Sequence, residues 1–514
     1  MRFAKKQDIK LKDLKSQIRE ALKLLNLNLI LDLIQVTYSQ RKGGKAPQPP
    51  KLILRSLIVM CLLQENRINA WVDQLKNSKD LRDLIKYEPT DKFPAVGTYY
   101  NFIYRIVDYY GVDIQSQLNE EPQTKSTNYS EDPQKPSDFF RHHKGVVRCI
   151  NSKHQERQRK GEKEGRTIPK KKGVGLKKLK EVRKWKEMLT DFVGILNQML
   201  GSVVVQSIEK GLLGTVDQIA LSIDGTLYES QGSKNGKREC DCESKRCSCP
   251  KIYGDPTAGW GYSKSKEQYV YGHRISAMVA RGQGNVELPI QAIIASPRVS
   301  ENELCIEGIA RLWHQHLGAQ LNTRKSIPAE YLVGDLGYCS SAISRCALDF
   351  GLKPVIPLLE TVKRRSNQEL AVLQNDTPIC PSGQKMKKHY TSPSRGTCFR
   401  CPARKARRKG GKLHYQIVPS ACTLETMCDS TSKIGPTVYV TEGTYDLHNP
   451  EITRDSDEFK EVYNRRGSVE RFFSILKSPR GLVKTRRWPI LQFMVIIKAI
   501  SCHLRAWMKH SAVT

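Results

Sequence analysis

Two aspartates follow short apolar segments that have the composition of buried strands. Asp224 comes directly after residues 219–223, and Asp335 comes directly after residues 331–334. Because α/β proteins carry out chemistry in crevices at the ends of their strands, each carboxylate is a candidate for catalysis. A single aspartate beside a glycine would also suit a turn or a helix cap, so neither residue alone establishes a site.

A third acidic residue lies in a segment with helical periodicity, residues 463–477. A rotation of about 100° per residue brings four polar side chains of this segment within roughly 60° of one another. These side chains are Tyr463, Arg466, Glu470 and Lys477. The apolar residues between them predict a side that packs on the core, and the four aligned polar groups exceed what a solvated charged face needs. The sequence therefore predicts one functional helix face.

Alternating strand and helix patterns surround these residues. The predicted strands are 218–223, 268–279, 286–294 and 331–334, and the predicted helices are 185–201, 305–317 and 340–350. Strands interleaved with helices indicate an α/β core. We expect residues 185–357 to form the first part of this core and residues 458–514 to complete it with C-terminal helices. The intervening residues 358–457 predict an insertion with strands, including the β-prone run 436–443.

The N-terminal region has helical patterns only. Leucine and isoleucine recur at helical spacing in residues 8–35, 52–84 and 99–110, which predicts a small all-α domain over residues 1–112. This pattern fits a DNA-binding unit and a dimerisation bundle equally well.

Residues 113–184 predict a basic linker. The overlapping segment 141–186 contains 18 Lys and Arg residues against 4 Asp and Glu residues. A segment with so few apolar positions cannot bury a core, so we expect it to be flexible. It could serve as an arm that grips phosphates or as a solvated tether.

The 15 cysteines are unevenly placed, and two groups could ligate metal. The first group is Cys240, Cys242, Cys247 and Cys249. Four thiols suffice for tetrahedral zinc, although the Cys-x-Cys spacing is tighter than in common zinc fingers, and a loosely structured thiol-rich loop fits as well. The second group, in the predicted insertion, is Cys380, Cys398 and Cys401 with either Cys422 or His414, and its ligand set is incomplete.

Composition limits the partners and the compartment. Lys and Arg number 85 against 52 Asp and Glu, a formal charge of +33 that favours a polyanionic partner such as nucleic acid. The apolar runs 52–63 and 490–500 are shorter than the ~18 residues of a membrane span, so we expect no transmembrane segment. Residues 1–15 are lysine-rich and do not resemble a secretory signal. These features predict a cytoplasmic, nucleoid-associated protein.

The acidic residues and their local contexts resemble the Asp-Asp-Glu triad of insertion-sequence transposases. The triad is Asp224, Asp335 and Glu470, within Asp-Gly-Thr at 224–226 and Gly-Asp-x-Gly-Tyr at 334–338. The spacing Tyr-x2-Arg-x3-Glu-x6-Lys of residues 463–477 is similar to the signature of the branch that carries a β-rich insertion. The resemblance covers residues 218–514, and the N-terminal helices are more weakly similar to a region that binds DNA ends.

This resemblance implies an α/β ribonuclease-H-like catalytic core with a β-rich insertion, preceded by an all-α N-terminal domain. The three carboxylates would ligate two Mg²⁺ ions, with Mn²⁺ as a substitute. Tyr463, Arg466 and Lys477 would bind phosphates of DNA. The implied protein is a homodimer on paired terminal inverted repeats that nicks the ends of a mobile element, with or without a hairpin intermediate, and joins them to target DNA. A zinc-dependent DNA-binding protein without enzymatic activity is the alternative.

Overall fold

The computed structural model describes residues 2–38, 47–88, 93–110 and most of 192–511. The gaps in the last range are 216–217, 236, 239–250, 253–254, 256, 264–265, 316, 323–324, 360–372, 375–376, 381–383, 393–395, 410–411, 418–436, 441–446, 448–450, 455, 483–484 and 486. The basic linker and the first cysteine group, Cys240 to Cys249, lie outside the described residues. The chain divides into two compact units. The first comprises Met1–Val333, Phe350–Leu352 and Asn464–Thr514, and the second comprises Gly334–Asp349 and Lys353–Tyr463.

Six helices form the described N-terminal part, which confirms the predicted helical character of this region. They are α1 Arg2–Leu24, α2 Asn28–Gln35, α3 Pro50–Leu62, α4 Ile68–Asn77, α5 Lys79–Ile85 and α6 Val96–Tyr110. Helix α3 begins with a proline, which lacks the amide hydrogen that a first turn leaves unpaired. The buried Ser56 of α3 accepts a hydrogen bond from the Trp71 indole at 2.8 Å and pairs with the Tyr99 hydroxyl at 2.7 Å. These contacts join α3, α4 and α6.

A sheet follows α7, which spans Phe192–Glu209. Its strands in the first unit are β1 Ala220–Glu229, β4 Gly259–Ser263, β5 Gln268–Gly282, β6 Val286–Ala295 and β7 Tyr331–Val333. Strand β5 is antiparallel to β1 on one side and to β4 and then β6 on the other, and β1 is parallel to β7. Two short strands between β1 and β4, β2 Lys237–Arg238 and β3 Lys251–Ile252, pair with each other. The predicted strands are confirmed, with β1 and β5 longer than expected.

Two helices lie between β6 and β7, namely α8 Glu301–His314 and α9 Leu317–Gln320. The Ser300 hydroxyl caps α8 by accepting a hydrogen bond from the Glu303 amide at 3.2 Å. The strand–helix–strand order of this region makes the described core a mixed α/β structure, as the sequence predicts.

The second unit is rich in strands. It contains α10 Ser341–Asp349 and then β8 Lys353–Val355, β9 Leu373–Gln374, β10 Thr377–Pro378, β11 Lys387–Ser392, β12 Gly396–Arg400, β13 Arg404–Lys409, β14 Lys412–Ile417, β15 Thr437–Val440 and α11 Asp457–Tyr463. Strands β11, β12 and β15 form an antiparallel sheet, while β13 pairs with β14 and β9 with β10. Strand β15 falls within the run 436–443 that the sequence predicts to be β-prone.

The chain then returns to the first unit through a 3-10 turn at Asn464–Arg466, followed by α12 Gly467–Lys477 and α13 Trp488–Ser511. Side chains of the helices satisfy the backbone of β6. Asn197 accepts a hydrogen bond from the Ala292 amide at 3.0 Å, and Gln492 accepts one from the Ile294 amide at 2.7 Å. A buried strand edge with unpaired backbone amides would be costly, so the side chains of Asn197 and Gln492 allow β6 to lie inside the core.

Helices α7 and α13 are long and apolar enough to cross a membrane, a property that the sequence prediction of no such segment missed. Of the apolar windows concerned, 78% of the α7 residues and 94% of the α13 residues are buried inside the structure. The core helices of globular proteins have the same property, so length and composition do not by themselves indicate a membrane span.

Candidate functional site

Strand β1 presents Ser222, Asp224 and Thr226 on one face, because side chains alternate along a strand. The prediction that Asp224 ends its strand is wrong: β1 continues to Glu229. It continues because its pairing with β5 runs without interruption from Leu221 to Glu229, whereas its pairing with β7 stops at Ser222 opposite Val333. Asp224 therefore lies just past the point where β1 stops pairing with the parallel strand β7. At this point β1 is still paired with the antiparallel strand β5.

Two contacts attach the C-terminal segment to this face of β1, on either side of Asp224. The Ser222 hydroxyl donates a hydrogen bond to the carbonyl of Arg465 at 2.9 Å. The Lys477 ammonium donates one to the Thr226 hydroxyl. Helix α12 runs between these two contacts, and Glu470 lies within it. The fold thus brings the segment that carries Glu470 onto the face of β1 that carries Asp224.

The predicted functional helix is not one continuous helix. It consists of α11, the 3-10 turn and α12, and the boundary between the two units falls between Tyr463 and Asn464. Asparagine and glycine, at positions 464 and 467, are poor helix formers, which accounts for the break. Tyr463 belongs to the second unit, where its ring stacks on Phe459 with centroids 5.8 Å apart.

From the 3-10 turn that precedes α12, the Arg466 guanidinium donates a hydrogen bond to the Glu470 carboxylate at 2.6 Å. The Glu470 side chain is 51% exposed, so this ion pair is accessible to solvent and to ligands. The predicted proximity of Arg466 and Glu470 on one face is confirmed. Glu470 is therefore held by a cation from its own segment.

The charge environment of Lys477 connects it to Asp224. Burial lowers the pKa of the Lys477 ammonium, the positive charge of Lys266 lowers it further, and the negative charge of Asp224 raises it. Asp224 and Lys266 are thus near enough to act on Lys477 electrostatically. Lys266 comes from the turn between β4 and β5, and no motif in the sequence had marked it.

The opposite face of β1 carries an ion pair that the sequence analysis also missed. Arg274 of β5 donates to Glu301, the first residue of α8, at 2.6 Å. A side chain at position 225 would meet the Glu301 side chain at 3.0 Å. Gly225, which follows Asp224, therefore leaves the room that this ion pair occupies. The only trace of this ion pair in the sequence is Gly225 in the Asp-Gly-Thr motif, where a glycine also fits a turn.

Asp335 lies at the beginning of the second unit and caps the 3-10 turn Leu336–Tyr338. Its carboxylate accepts a hydrogen bond from the Gly337 amide at 2.8 Å. The strand before Asp335 is confirmed, but β7 ends at Val333, one residue earlier than predicted, so Asp335 follows it by two positions. Its local role is the capping role that a single strand-end aspartate can fill.

The donor chemistry of the three acidic residues suits a hard divalent cation, because carboxylate oxygens are the ligands that Mg²⁺ prefers. Within the described part of the chain, however, no three His, Cys, Asp or Glu side chains are grouped closely enough to hold one metal ion. Glu470 is instead paired with Arg466. Ligation by Glu470 would require this arginine to be displaced from the carboxylate.

The second cysteine group is not assembled by the cysteines that the structure describes. Cys380 packs with Met386 and Phe399 in a small apolar cluster. Cys398 precedes Phe399 in β12 and so lies on the other face of that strand, where its register partners are Tyr390 and Tyr439. Among the described residues, Cys380 and Cys398 therefore do not face one another, and no group of three possible metal ligands forms. Cys422 and the side chain of His414 lie outside the described set, so a second metal site stays a prediction.

Comparison with known proteins gives one family. Residues 217–502, more than half of the 514-residue chain, match the family described as Transposase DDE domain. A search of the curated proteins found no match to the chain. The matched region begins just before β1 and ends within α13, so it contains every acidic residue considered above.

Proposed function

Because this chain belongs to the transposase DDE-domain family, we propose that it binds the ends of a mobile element, cleaves the DNA there and joins the 3′ ends to target DNA. The reaction is metal-dependent phosphoryl transfer. The attachment of α12 to β1 on both sides of Asp224 carries this proposal, because it brings a second acidic residue, Glu470, to the strand of the first.

We assign Asp224, Asp335 and Glu470 as the metal ligands. Two divalent cations, Mg²⁺ or Mn²⁺, would supply the activation of a nucleophilic oxygen and the stabilisation of the leaving oxygen. The chain's own contribution is to hold the carboxylates in place and to keep basic side chains beside them. Arg466 neutralises Glu470 while no metal is bound, since two close carboxylates otherwise repel one another.

Lys477 and Arg466 are assigned to the phosphates of DNA, together with Tyr463. The Lys477 ammonium donates a hydrogen bond to Thr226 and interacts with the charge of Asp224, so it would attract the phosphate to be cleaved. Arg466 could exchange its carboxylate partner for a phosphate, because its planar guanidinium binds both groups in the same manner. These two residues therefore give the site a means of gripping its substrate.

A ribonuclease-H-like core is the architecture that we propose for residues 185–357 and 458–514, with residues 358–457 as the insertion. Three observations in the first unit support it. Strands β1, β5 and β6 follow one another in antiparallel pairing, β7 adds to β1 in parallel, and helix α8 connects β6 to β7. A parallel strand reached through a helix is the connection that an α/β core requires.

Double-stranded DNA is the proposed partner, both as terminal inverted repeats and as target. The charge of +33 supports this proposal, because binding of phosphates by Lys and Arg releases counterions. We propose that residues 1–112 bind DNA or mediate dimerisation, that residues 113–184 act as a basic linker, and that the protein is a homodimer on paired ends in the bacterial nucleoid. A structural zinc at Cys240, Cys242, Cys247 and Cys249 remains part of the proposal.

The family match gives no support to a DNA-binding protein without enzymatic activity. The experiment that separates the two functions is cleavage of DNA that carries the sequences flanking the gene, with purified protein. We expect cleavage with Mg²⁺ and none with a chelator, while binding persists in both conditions. Binding without cleavage in Mg²⁺ and in Mn²⁺ would contradict the proposed enzyme.

A further inference from the structure

The hairpin formed by β4 and β5 ends in an exposed pair of tyrosines. Tyr262 and Tyr269 are register partners, with ring centroids 5.4 Å apart in an edge-to-face arrangement. Tyr262 is 52% exposed and Tyr269 is 68% exposed, although both lie in regular strands. No described element covers these two rings, and together they form a platform on which another flat ring could stack.

The platform is supported by a second aromatic pair. Trp260 and Tyr271 are the next register partners on the same face, with centroids 5.4 Å apart. Tyr271 is buried and donates a hydrogen bond to the carbonyl of Asp255 at 2.6 Å. The exposed tyrosines therefore continue a packed aromatic ladder toward the turn of the hairpin.

The base of the ladder is a buried polar cluster around Asp255. This carboxylate accepts a hydrogen bond from Ser230 at 2.6 Å and pairs with His273 at 3.0 Å. Asp255 is fully buried and His273 nearly so, and together these hydrogen bonds hold the pKa of Asp255 below its usual value against the effect of burial. These hydrogen bonds fix Asp255 and Tyr271 at the base of the hairpin, although the Nδ1 atom of His273 has no hydrogen-bond partner among the described residues. The exposed rings thus stand on an ordered support, which lowers the cost of binding.

Positive charge lies at the turn of the same hairpin. Lys266, in the turn between β4 and β5, acts electrostatically on Lys477, whose ammonium donates a hydrogen bond to Thr226 of β1, two residues along the strand from Asp224. The aromatic platform is thus on an element whose turn reaches the lysine beside the proposed catalytic aspartate. An aromatic surface next to a pair of lysines has the charge and the shape that a single-stranded nucleic acid requires.

We propose that Tyr262 and Tyr269 stack on an unpaired base of the DNA strand bound at Asp224 and that Lys266 binds the adjoining phosphate. This inference rests on the proposed function, because it names the part of the DNA substrate that the hairpin recognises. A base has a flat face of the size of the tyrosine ring, and its phosphate supplies the negative charge that Lys266 and Lys477 attract. Stacking of this kind does not depend on the identity of the base.

The test compares the affinity of the full-length protein for two DNA probes in a chelator, so that cleavage does not enter. One probe is a fully paired duplex, and the other is the same duplex with a short single-stranded thymidine tail. We expect the wild-type protein to prefer the tailed probe about tenfold, which is the size of a single base–aromatic contact. The double variant Tyr262→Ala/Tyr269→Ala should lose this preference and keep its affinity for the paired duplex. The double Tyr→Phe variant should retain the preference, because its rings can still stack.

Two further variants test the arrangement. Lys266→Gln should lower affinity for both probes and reduce the salt dependence of binding by about one phosphate contact. Tyr390→Ala is the matched control, because Tyr390 is 46% exposed and lies edge-to-face with Tyr439, far along the chain from the hairpin. It should leave the preference for the tail unchanged.

Three results would overturn the inference. They are a preserved preference in the double alanine variant, an equal loss of affinity for both probes in that variant, and an equal effect of Tyr390→Ala. If the double alanine variant instead self-associates less than the wild type and still prefers the tailed probe, the platform contacts a second copy of the chain and not DNA. A wild-type protein that prefers the tailed probe but never cleaves DNA would disprove the proposed enzyme and leave this inference standing.

Discussion

The Ser222 hydroxyl donates a hydrogen bond to the Arg465 carbonyl at 2.9 Å. Because Ser222 lies two residues before Asp224 in β1, this bond fixes the start of α12 close to Asp224 on that strand. Ser222 is fully buried in β1, and Arg465 precedes α12 in the 3-10 turn. The two residues are far apart in sequence, so this contact exists only in the folded core. It makes the position of Glu470 depend on the strand that carries Asp224.

The first prediction concerns this hydrogen bond. Ser222→Ala should lower the rate of DNA cleavage at saturating substrate, because the segment of α12 loses one of the two hydrogen bonds described above that join it to β1. This loss of rate should exceed the fraction of the protein that the substitution unfolds. A single neutral hydrogen bond contributes about 1 kcal/mol to the free energy of unfolding. Ser207→Ala is the matched control, since Ser207 is also fully buried and hydrogen-bonded, to His503, on α7. Equal losses of activity per folded molecule in the two variants would show that Ser222 has no positioning role.

The second prediction concerns the close approach of Gly225 to Glu301. Gly225→Ala should destabilise the protein by about 1–3 kcal/mol, because the added methyl group meets the Glu301 side chain at 3.0 Å. The free energy of unfolding should recover in part in the double variant Gly225→Ala/Glu301→Ala, which removes the obstruction. Gly97→Ala in α6 is the control, since nothing lies within 4 Å of the new methyl group. That variant should be slightly more stable than the wild type, as expected for glycine replaced in a helix.

The third prediction concerns pH and the buried His503, which pairs with Ser207 at 2.8 Å and lies 2.8 Å from the Pro289 carbonyl. Burial lowers the pKa of His503 to about 4. The folded protein keeps this ring neutral while the unfolded chain binds a proton below about pH 6.5, so its contribution to stability is full above that pH and falls as the solution is acidified toward pH 4. The expected loss from this residue is about 3 kcal/mol over that range.

Chemical unfolding at a series of pH values measures this contribution. His503→Gln should be less stable than the wild type at neutral pH and should lose less stability between pH 6.5 and pH 4. The same pH dependence in the variant and the wild type would assign the acid sensitivity to other groups.

The fourth prediction concerns Lys477. Lys477→Gln should slow cleavage strongly and lower the slope of binding against salt concentration by about 0.9, the effect of one lost phosphate contact. Lys460→Gln is the control, because Lys460 lies on α11 in an exposed ion pair with Asp457. A normal cleavage rate for Lys477→Gln would separate this residue from the reaction, and an unchanged salt slope would separate it from the phosphate.

Much of the core could be predicted from local patterns. The strands around Asp224 and before Asp335 follow from runs of apolar residues, and the pairing of Arg466 with Glu470 follows from their spacing of four residues. The end of β1 could not be predicted, because its length depends on pairing with β5, which lies some fifty residues further along the chain. The local sequence predicts a turn at Gly225, but this glycine lies inside β1, where the nearby Glu301 side chain leaves little room for a larger residue.

The remaining parts of the site depend on contacts between distant residues. Nothing in the sequence near Glu301 or Lys266 indicates that one packs under Gly225 and the other acts on Lys477. The break between Tyr463 and Gly467 was missed because the polar periodicity continues through the 3-10 turn. The second cysteine group could not be judged from spacing, because only the folded strands show that Cys398 faces Tyr390 and Tyr439 while its neighbour Phe399 packs with Cys380.

The most direct test of the account is cleavage of DNA carrying the gene-flanking sequences, in Mg²⁺, by matched acidic-residue variants. The cleavage rate should fall at least ~100-fold in each of three variants, Asp224→Asn, Asp335→Asn and Glu470→Gln. A fall of this size exceeds the effect of losing a residue that only orients a metal ligand. Each variant should still bind DNA normally in a chelator. Asp457→Asn, which removes a fully exposed carboxylate on α11, should cleave at the wild-type rate. Near-normal cleavage by Glu470→Gln would contradict the assignment of the three carboxylates to the catalytic metals.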